Sequence, residues 1–196
     1  MSNSPRKGIV FVVSAPAGTG KTTLVNRLLE EFPHILESVS FTTREPRPGE
    51  INGKHYHFVT QQEFDKRISQ GDLLEYVTLY GHSYGTSRSQ VEALRKAGKH
   101  AILVIDTQGA LKLKETISAV YIFVIPPSMS ELKQRLETRR TETPEAMQRR
   151  LDWAQEELKA IDQYDYNLVN DDMQTAYEAL RSIVIAEEHR VTHKGE

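Results

Sequence analysis

The sequence predicts an α/β protein in which a parallel sheet is flanked by helices. Short β-branched segments without polar alternation are typical of strands buried on both faces, and helical patterns separate them along the chain. The predicted strands cover residues 8–14, 101–105, 120–125 and 166–169. The predicted helices cover residues 21–32, 87–97, 108–115, 128–138, 144–161 and 173–189. In the longest of these, one apolar stripe recurs at helical spacing, formed by Met147, Leu151, Ala154, Leu158 and Ile161.

One region interrupts this alternation. Residues 38–86 are more polar, rich in aromatic and hydroxyl side chains, and punctuated by prolines and glycines. This composition predicts short strands with one helix near residues 61–70, inserted between the first and second core units. We therefore expect a single unit with an insertion at 38–86, a basic segment at 131–155 and a core at 1–37, 87–130 and 156–196.

The composition excludes several kinds of site. The chain has 196 residues and no cysteine, which excludes a disulfide scaffold, a Cys-ligated zinc site, an iron–sulfur cluster and a thiol nucleophile. A net charge of −2 offers no general attraction to nucleic acid or to anionic lipid. The longest apolar run, residues 119–125, is far shorter than the ~20 residues that cross a bilayer. We expect a cytoplasmic enzyme or binding module.

A phosphate-binding loop follows the first predicted strand. It reads Ala15-Pro16-Ala17-Gly18-Thr19-Gly20-Lys21-Thr22, with Ala15 where the usual pattern has glycine. Gly18 and Gly20 let the backbone curl so that N–H groups surround phosphate oxygens at a helix N-terminus. Lys21 can reach the β and γ phosphates, and the Thr22 hydroxyl can bind Mg²⁺. The strand–loop–helix context favours a nucleoside triphosphate site over a glycine-rich turn without a ligand.

Two arginines and two tyrosines of the insertion predict a second phosphate site. Arg44 and Arg47 are three residues apart between prolines, and Tyr56 and Tyr84 follow. Together they can clamp one phosphate with charge-assisted hydrogen bonds. The alternative is an exposed basic loop beside core tyrosines. The phosphate-binding loop earlier in the chain favours the clamp.

With these motifs, residues from about Gly8 to Glu187 closely resemble the guanylate kinase family. The resemblance rests on the phosphate-binding loop, on Ser40-Phe41-Thr42-Thr43-Arg44-Glu45-Pro46-Arg47-Pro48-Gly49-Glu50, on Tyr84-Gly85-Thr86 and on Val169-Asn170-Asp171-Asp172. It implies a P-loop NTPase-type sheet, a mixed α/β GMP-binding insertion and a helical lid formed by the basic segment at 131–155. It also implies the GMP-binding residues Ser40, Arg44, Arg47, Tyr56, Glu75, Tyr84, Thr86 and Asp106.

Among these residues, Glu75 has a clear chemical reason to select guanine. The resemblance assigns the phosphate to the arginines and tyrosines, and the guanine to Ser40, Glu75 and Thr86. A carboxylate can accept hydrogen bonds from the adjacent N1–H and N2–H₂ groups of guanine, whereas adenine would leave it unpaired. Asp106 follows the second predicted strand and could join the Mg²⁺ shell through water. The resemblance places it beside the GMP base and ribose instead, and both roles stay open.

The lid contains a cluster of basic residues, Lys133, Arg135, Arg139, Arg140, Arg149 and Arg150. Interspersed glutamates weaken a nucleic-acid interpretation, and a solvated helix surface is the plainer alternative. Phosphoryl transfer supplies a reason for the cluster, because charge spreads over the γ-phosphate oxygens in the transition state. The resemblance assigns catalytic roles to Arg135, Arg139 and Arg150 beside Lys21, and places Asn170 near the adenine of ATP. Thr138 and Arg140 stand where the family commonly has glycines.

The sequence therefore predicts an ATP:GMP phosphotransferase of purine metabolism that uses Mg²⁺. Its expected partners are ATP and GMP, without nucleic acid or membrane, and no oligomeric state is predicted. One rival is another small-molecule kinase on the same scaffold, such as a ribose-bisphosphate phosphokinase. The other is a peptide-binding module of scaffold proteins, which the retained Gly20-Lys21-Thr22 argues against.

Overall fold

The computed structural model describes residues 7–138 and 144–191. The described chain divides into two compact units, residues 7–14 with 33–121, and residues 15–32 with 122–138 and 144–191. Numbered along the whole chain, the first unit contains β1 (Val10–Ser14), β2 (Ile35–Glu37), β3 (Phe41–Thr42), β4 (His57–Phe58), α2 (Gln61–Ser69), β5 (Leu73–Leu79), β6 (His82–Ser87), α3 (Arg88–Lys96), β7 (His100–Val104) and α4 (Thr107–Lys114). The second contains α1 (Lys21–Glu31), β8 (Val120–Ile125) from Ile122 onward, α5 (Met129–Thr138), α6 (Pro144–Leu158), a 3-10 helix (Ile161–Gln163), β9 (Tyr166–Val169) and α7 (Met173–Glu188).

Parallel strands form the core of the first unit, in the order β2-β7-β1. Val10 pairs with Ala101, and Ile35 pairs with His100. Every residue of β1 is buried, as is the apolar centre of β7. Burial on both faces explains why these strands are continuously apolar instead of alternating.

The predicted insertion has a sheet of its own, in the order β4-β3-β6-β5. Phe64 of α2 packs there against Phe41 and Leu73. The strands β5 and β6 pair antiparallel, and their register places Glu75 opposite Thr86. Two polar residues that lie eleven positions apart in the chain thus become neighbours on one sheet.

The second unit combines a parallel strand pair, β8 and β9, with packed helices. The helices α5 and α6 meet through an apolar cluster formed by Leu132, Leu136, Leu151 and Ala154, against which Met129 and Met147 pack. The helices α1 and α7 also pack together. Between them, the Tyr177 hydroxyl and the Arg181 guanidinium both donate hydrogen bonds to the Glu31 carboxylate.

The predicted fold class is confirmed, since the core strands of each unit pair in parallel and helices alternate with them. Apart from shifts of one or two residues at the ends of several strands and helices, two details differ from the prediction. The short strand β2 was not predicted, because three residues carry too little periodicity to be recognised. The helix predicted at 144–161 ends at Leu158, because the amides of Lys159 and Ala160 bond to carbonyls three residues earlier. Ile161 therefore lies in the 3-10 helix and not on the stripe of α6.

The predicted boundaries of core, insertion and lid stay a prediction.

Across residues 7–138 and 144–191, none of the helices has both the length and the apolar composition needed to span a membrane.

Candidate active site

Residues 15–22, which we call the donor loop, connect β1 to α1 and belong to the second unit. Gly18 and Gly20 have φ angles of 93° and 89°, in the left-handed region that glycine adopts without strain. Gly20 stands at the N-cap position of α1 and has no side chain to cap it. The first N–H groups of a helix have no acceptor within the helix, so those of α1 can bind an anion.

The departure at Ala15 causes no backbone strain. Among the described residues, Tyr80 is the only non-glycine residue with a positive φ, so Ala15 adopts an ordinary conformation. Thr19 is 1% exposed, and its hydroxyl donates a 2.9 Å hydrogen bond to the Pro16 carbonyl. This bond closes the loop on itself. Lys21 and Thr22 then begin α1, Lys21 half-buried and Thr22 exposed.

Two residues distant in the sequence reach the donor loop or its neighbourhood. Asn170 is 2% exposed, and its Nδ2 donates a 2.6 Å hydrogen bond to the Thr19 carbonyl oxygen. Arg135 of α5 donates from Nη1 to the Asn170 carbonyl at 3.1 Å and from Nε to the Glu131 carboxylate at 3.3 Å. Arg135, one of the predicted lid arginines, is thus linked to the donor loop through Asn170.

Of the other predicted lid arginines, the structure describes Arg150 but not Arg139 or Arg140. Arg150 is half-buried on α6. Arg139 and Arg140 lie outside the described residues, so no contact of either can be assigned.

In the first unit, the predicted phosphate clamp gathers around Arg44. We call Arg44, Arg47, Glu50, Tyr56 and Tyr84 the acceptor cluster. The Arg44 guanidinium carbon lies 5.4 Å from the centroid of the Tyr56 ring, and that ring lies 6.0 Å from the ring of Tyr84. Burial raises the pKa of Tyr56, so the phenol keeps its proton and can donate a hydrogen bond to an anion.

Glu50 holds the arginines of this cluster in place. Arg44 Nη2 lies 2.9 Å from Glu50 Oε1, and the Arg47 amide donates to Glu50 Oε2 at 2.7 Å. The hydrogen bond between Arg44 and Glu50 raises the pKa of the guanidinium and lowers that of the carboxyl. We assigned Glu50 no role from the sequence, although an acidic residue three positions after Arg47 was a usable signal.

The two remaining predicted residues, Arg47 and Ser40, differ in their exposure. Arg47 is exposed, and Ser40 is half-buried just before β3. The Ser40 carbonyl accepts a 2.9 Å hydrogen bond from the His57 amide.

The predicted guanine-reading residues form a second group in the first unit. We call Glu75, Thr86, Asp106 and Gly109 the base cluster. Glu75 is 6% exposed, and its Oε1 accepts a 2.6 Å hydrogen bond from the Thr86 hydroxyl. Burial raises the pKa of Glu75 to about 7, and the nearby Asp106 carboxylate adds to the shift. The Thr86 hydrogen bond opposes it.

Asp106 connects this carboxylate to α4. Its Oδ1 caps the helix by accepting from the amides of Gln108 and Gly109, at 2.8 and 3.2 Å. A Cβ atom on Gly109 would lie 2.9 Å from Glu75 Oε2 and 3.3 Å from Asp106 Oδ2. Glycine at this position therefore makes room for the two carboxylates, a role that we did not predict. The signal was a glycine in the first turn of a predicted helix.

Comparison with known proteins was consistent across sequence and structure. The guanylate kinase family model matches residues 7–187. The chain is 55% identical to guanylate kinase of Protochlamydia amoebophila (strain UWE25) over 99% of this chain and 98% of that protein. It is 50% identical to guanylate kinase of Chlamydia felis (strain Fe/C-56), over 92% and 89% of the two chains.

A solved structure extends this similarity to the fold. The crystal structure of guanylate kinase from Anaplasma phagocytophilum superimposes with a TM-score of 0.79 at 35% identity, covering 97% of this chain and 91% of that one. The family match spans both units, and therefore both the donor loop and the two clusters of the first unit. On this evidence the chain belongs to the guanylate kinase family.

Proposed function

We propose that this chain transfers the γ-phosphoryl group of ATP to GMP, giving ADP and GDP, with the donor loop holding ATP and the first unit holding GMP. The observation that carries the proposal is the buried Glu75 carboxylate, bonded to Thr86 and surrounded by the rest of the base cluster. A carboxylate so placed is suited to a base with two adjacent N–H donors. Membership of a phosphotransferase family supplies the reaction class.

The donor loop holds the triphosphate mainly through its backbone. The positive φ angles of Gly18 and Gly20 support a curled loop, and the uncapped start of α1 supplies N–H groups and a partial positive charge. Lys21, the first residue of α1, neutralises the β and γ phosphates. The lid arginines Arg135, Arg139 and Arg150 stabilise the charge that spreads over the γ-phosphate oxygens.

The acceptor cluster holds the phosphate of GMP. Arg44 and Arg47 supply charge, while Tyr56 and Tyr84 donate hydrogen bonds. The attacking oxygen belongs to a phosphate that is already ionised, so the reaction needs no general base. Catalysis then rests on alignment of the two substrates and on charge neutralisation.

The base cluster selects guanine. Ionised Glu75 accepts from N1–H and from N2–H₂, and Ser40 and Thr86 add hydrogen-bonding groups at the edge of the base. Adenine has an acceptor at N1 and no 2-amino group, so it would leave a buried carboxylate unpaired. Sites that demand such a pattern reject the wrong base by roughly 10⁴-fold.

Thr22 is the residue that fits a Mg²⁺ ion. It is exposed at the first turn of α1 and carries an oxygen ligand of the kind that Mg²⁺ takes. Mg²⁺ commonly uses one or two protein oxygens and completes its shell with phosphate oxygens and water. When bound at the Thr22 hydroxyl, the ion would neutralise negative charge on the phosphates of ATP. We also propose that the protein carries out this reaction in the cytoplasm.

An acceptor survey tests the proposal. Wild-type protein is incubated with ATP and Mg²⁺ and with GMP, AMP or ribose 1,5-bisphosphate in turn, and nucleotides are separated by chromatography. We expect GDP and ADP in equal amounts from GMP and little turnover of AMP. Turnover of the sugar phosphate without turnover of GMP would point to the rival kinase activity. No transfer to any acceptor would favour a binding module.

A further inference from the structure

We infer that Asn170 is a positioning residue, which aims a backbone N–H of the donor loop at the phosphates of ATP by holding the Thr19 carbonyl. This inference rests on the proposed function. It is distinct from the adenine contact that the family resemblance implies for Asn170, because it assigns the Nδ2 group to the Thr19 carbonyl of the loop.

The contact is buried and short. Asn170 is 2% exposed and Thr19 is 1% exposed, and 2.6 Å separate the Asn170 Nδ2 from the Thr19 carbonyl oxygen. The two residues are 151 positions apart in the chain. Both belong to the second unit. A bond of this kind, shielded from water, constrains the peptide that it reaches.

Holding the Thr19 carbonyl also orients the next amide. The peptide bond between Thr19 and Gly20 is trans, so its C=O and N–H groups lie in one plane and point in opposite directions. Asn170 fixes the carbonyl on one side, and the Gly20 N–H must then point to the other side. Gly20 is the N-cap residue of α1, so this N–H belongs to the anion-binding end of the helix.

Asn170 is itself held from two directions. Its amide donates to the Ile125 carbonyl at 2.8 Å, and its carbonyl accepts from Arg135 at 3.1 Å. A Cβ atom on Gly20 would lie 2.6 Å from Asn170 Nδ2, so the glycine is also required for this approach. The loop peptide is therefore fixed by a residue that the end of β8 and the helix α5 keep in place.

The test compares donors with different bases. KM and kcat are measured for ATP and CTP as donors and for GMP as acceptor in wild type, Asn170→Ala and Asn170→Asp, all with thermal melts. Asn167→Ala, an exposed asparagine on β9, is the matched control. Loss of the Asn170 N–H group should raise KM for ATP and for CTP by the same factor, about tenfold for one hydrogen bond. KM for GMP should stay unchanged.

Three outcomes would overturn the inference. A loss confined to ATP, with a changed ratio of ATP to CTP turnover, would make Asn170 an adenine contact. Equal losses in every constant together with a lower Tm would make it a purely structural residue. Wild-type behaviour of Asn170→Asp beside a defective Asn170→Ala would mean that shape and not hydrogen-bond donation matters.

A measurement on the wild-type chain does not depend on any variant or on GMP turnover. Inorganic tripolyphosphate is titrated while the backbone amide resonances are followed by NMR. We expect the Gly20 amide to shift with tripolyphosphate and not with adenosine. An unmoved Gly20 amide at saturation would contradict the inference. Failure of wild type to phosphorylate GMP would instead contradict the proposed function.

Discussion

In the proposed function, the donor loop and the base cluster bind their nucleotides by different physical means. The donor loop is eight consecutive residues whose backbone supplies most of the binding groups, and Asn170 is a distant side chain that joins it. The base cluster is assembled from side chains of β5, β6 and α4, around the buried Glu75 carboxylate. Backbone N–H groups neither titrate nor lose an ionic hydration shell. Of these two sites, the base cluster should therefore show the dependence on pH that comes from a buried carboxylate, and the cost of burying its charge.

Removing the main charge of the donor loop should have the largest effect. For Lys21→Ala we expect kcat to fall by roughly 10³- to 10⁵-fold, because a cation at the transferring phosphoryl group is lost. KM for GMP should stay within about twofold of wild type, since the base cluster is untouched. A coupled assay of ADP release measures both constants. Lys159→Ala, which removes an exposed lysine of the second unit, is the control. Equal GMP-dependent rates in wild type and Lys21→Ala would rule out the assigned donor site.

Neutralising the base cluster should separate activity from stability. For Glu75→Gln we expect kcat/KM for GMP to fall by roughly 10³-fold, because an amide presents only one acceptor to two guanine donors. ATP affinity should be retained, which titration calorimetry can measure. A loss of GMP turnover that is matched by an equal loss of ATP affinity would mean that Glu75 supports the fold and does not read the base.

The same variant should be more stable than wild type at alkaline pH. The pKa of Glu75 in the folded chain is about 7, against an ordinary value of 4.5. A carboxyl whose pKa is raised by folding favours the folded state most below its ordinary pKa, and this stability is lost as pH rises towards 7. Above pH 7 the cost of the buried charge reaches at most about 3 kcal/mol, and Glu75→Gln removes it. Urea unfolding should show a gain of about 3 kcal/mol at pH 8 and of less than about 1 kcal/mol at pH 5. A gain of the same size at both pH values would contradict this origin.

The raised pKa of Glu75 should also make GMP binding depend on pH. In its proposed role, Glu75 binds guanine as the ionised carboxylate, which is about a tenth of the population at pH 6 if the pKa is about 7. We expect KM for GMP to fall up to about tenfold between pH 6 and pH 8, while KM for ATP lacks this dependence. In Glu75→Gln, KM for GMP should no longer fall between pH 6 and pH 8. An identical pH profile for both substrates would place the titrating group elsewhere.

The smallest expected effect is a shift of that pH midpoint. The Thr86 hydroxyl lowers the pKa of Glu75 by donating to it. Thr86→Val keeps the shape of the side chain and removes the donor, so the midpoint for GMP binding should move upward by about one pH unit. At pH 8.5 or above the variant should approach wild type, apart from any direct contact of Thr86 with guanine. A downward shift would contradict the assigned hydrogen bond.

Local chemistry explains how much could be predicted from the sequence. The strand–helix alternation, the donor loop and the bounds of β8 and β9 follow from short-range patterns, because each depends on residues within a few positions. The strand β2 escaped because its pairing with β7, and not its own three residues, makes it a strand. The roles of Glu50 and Gly109 were not predicted, because they depend on which side chains the fold brings beside them.

The sequence by itself determined the class of protein and the kinds of chemical group available: a glycine-rich loop ending in Lys21 and Thr22, paired arginines, and an acidic residue for the base. Tertiary structure alone decided what those groups do in the folded chain. It buried Glu75 against Thr86 and Asp106, and so moved its pKa to about 7. It also brought Asn170 to Thr19 across 151 residues of chain. Burial and long-range contact set the free energy of a charge or a hydrogen bond, and neither can be determined from residues that are neighbours only in sequence.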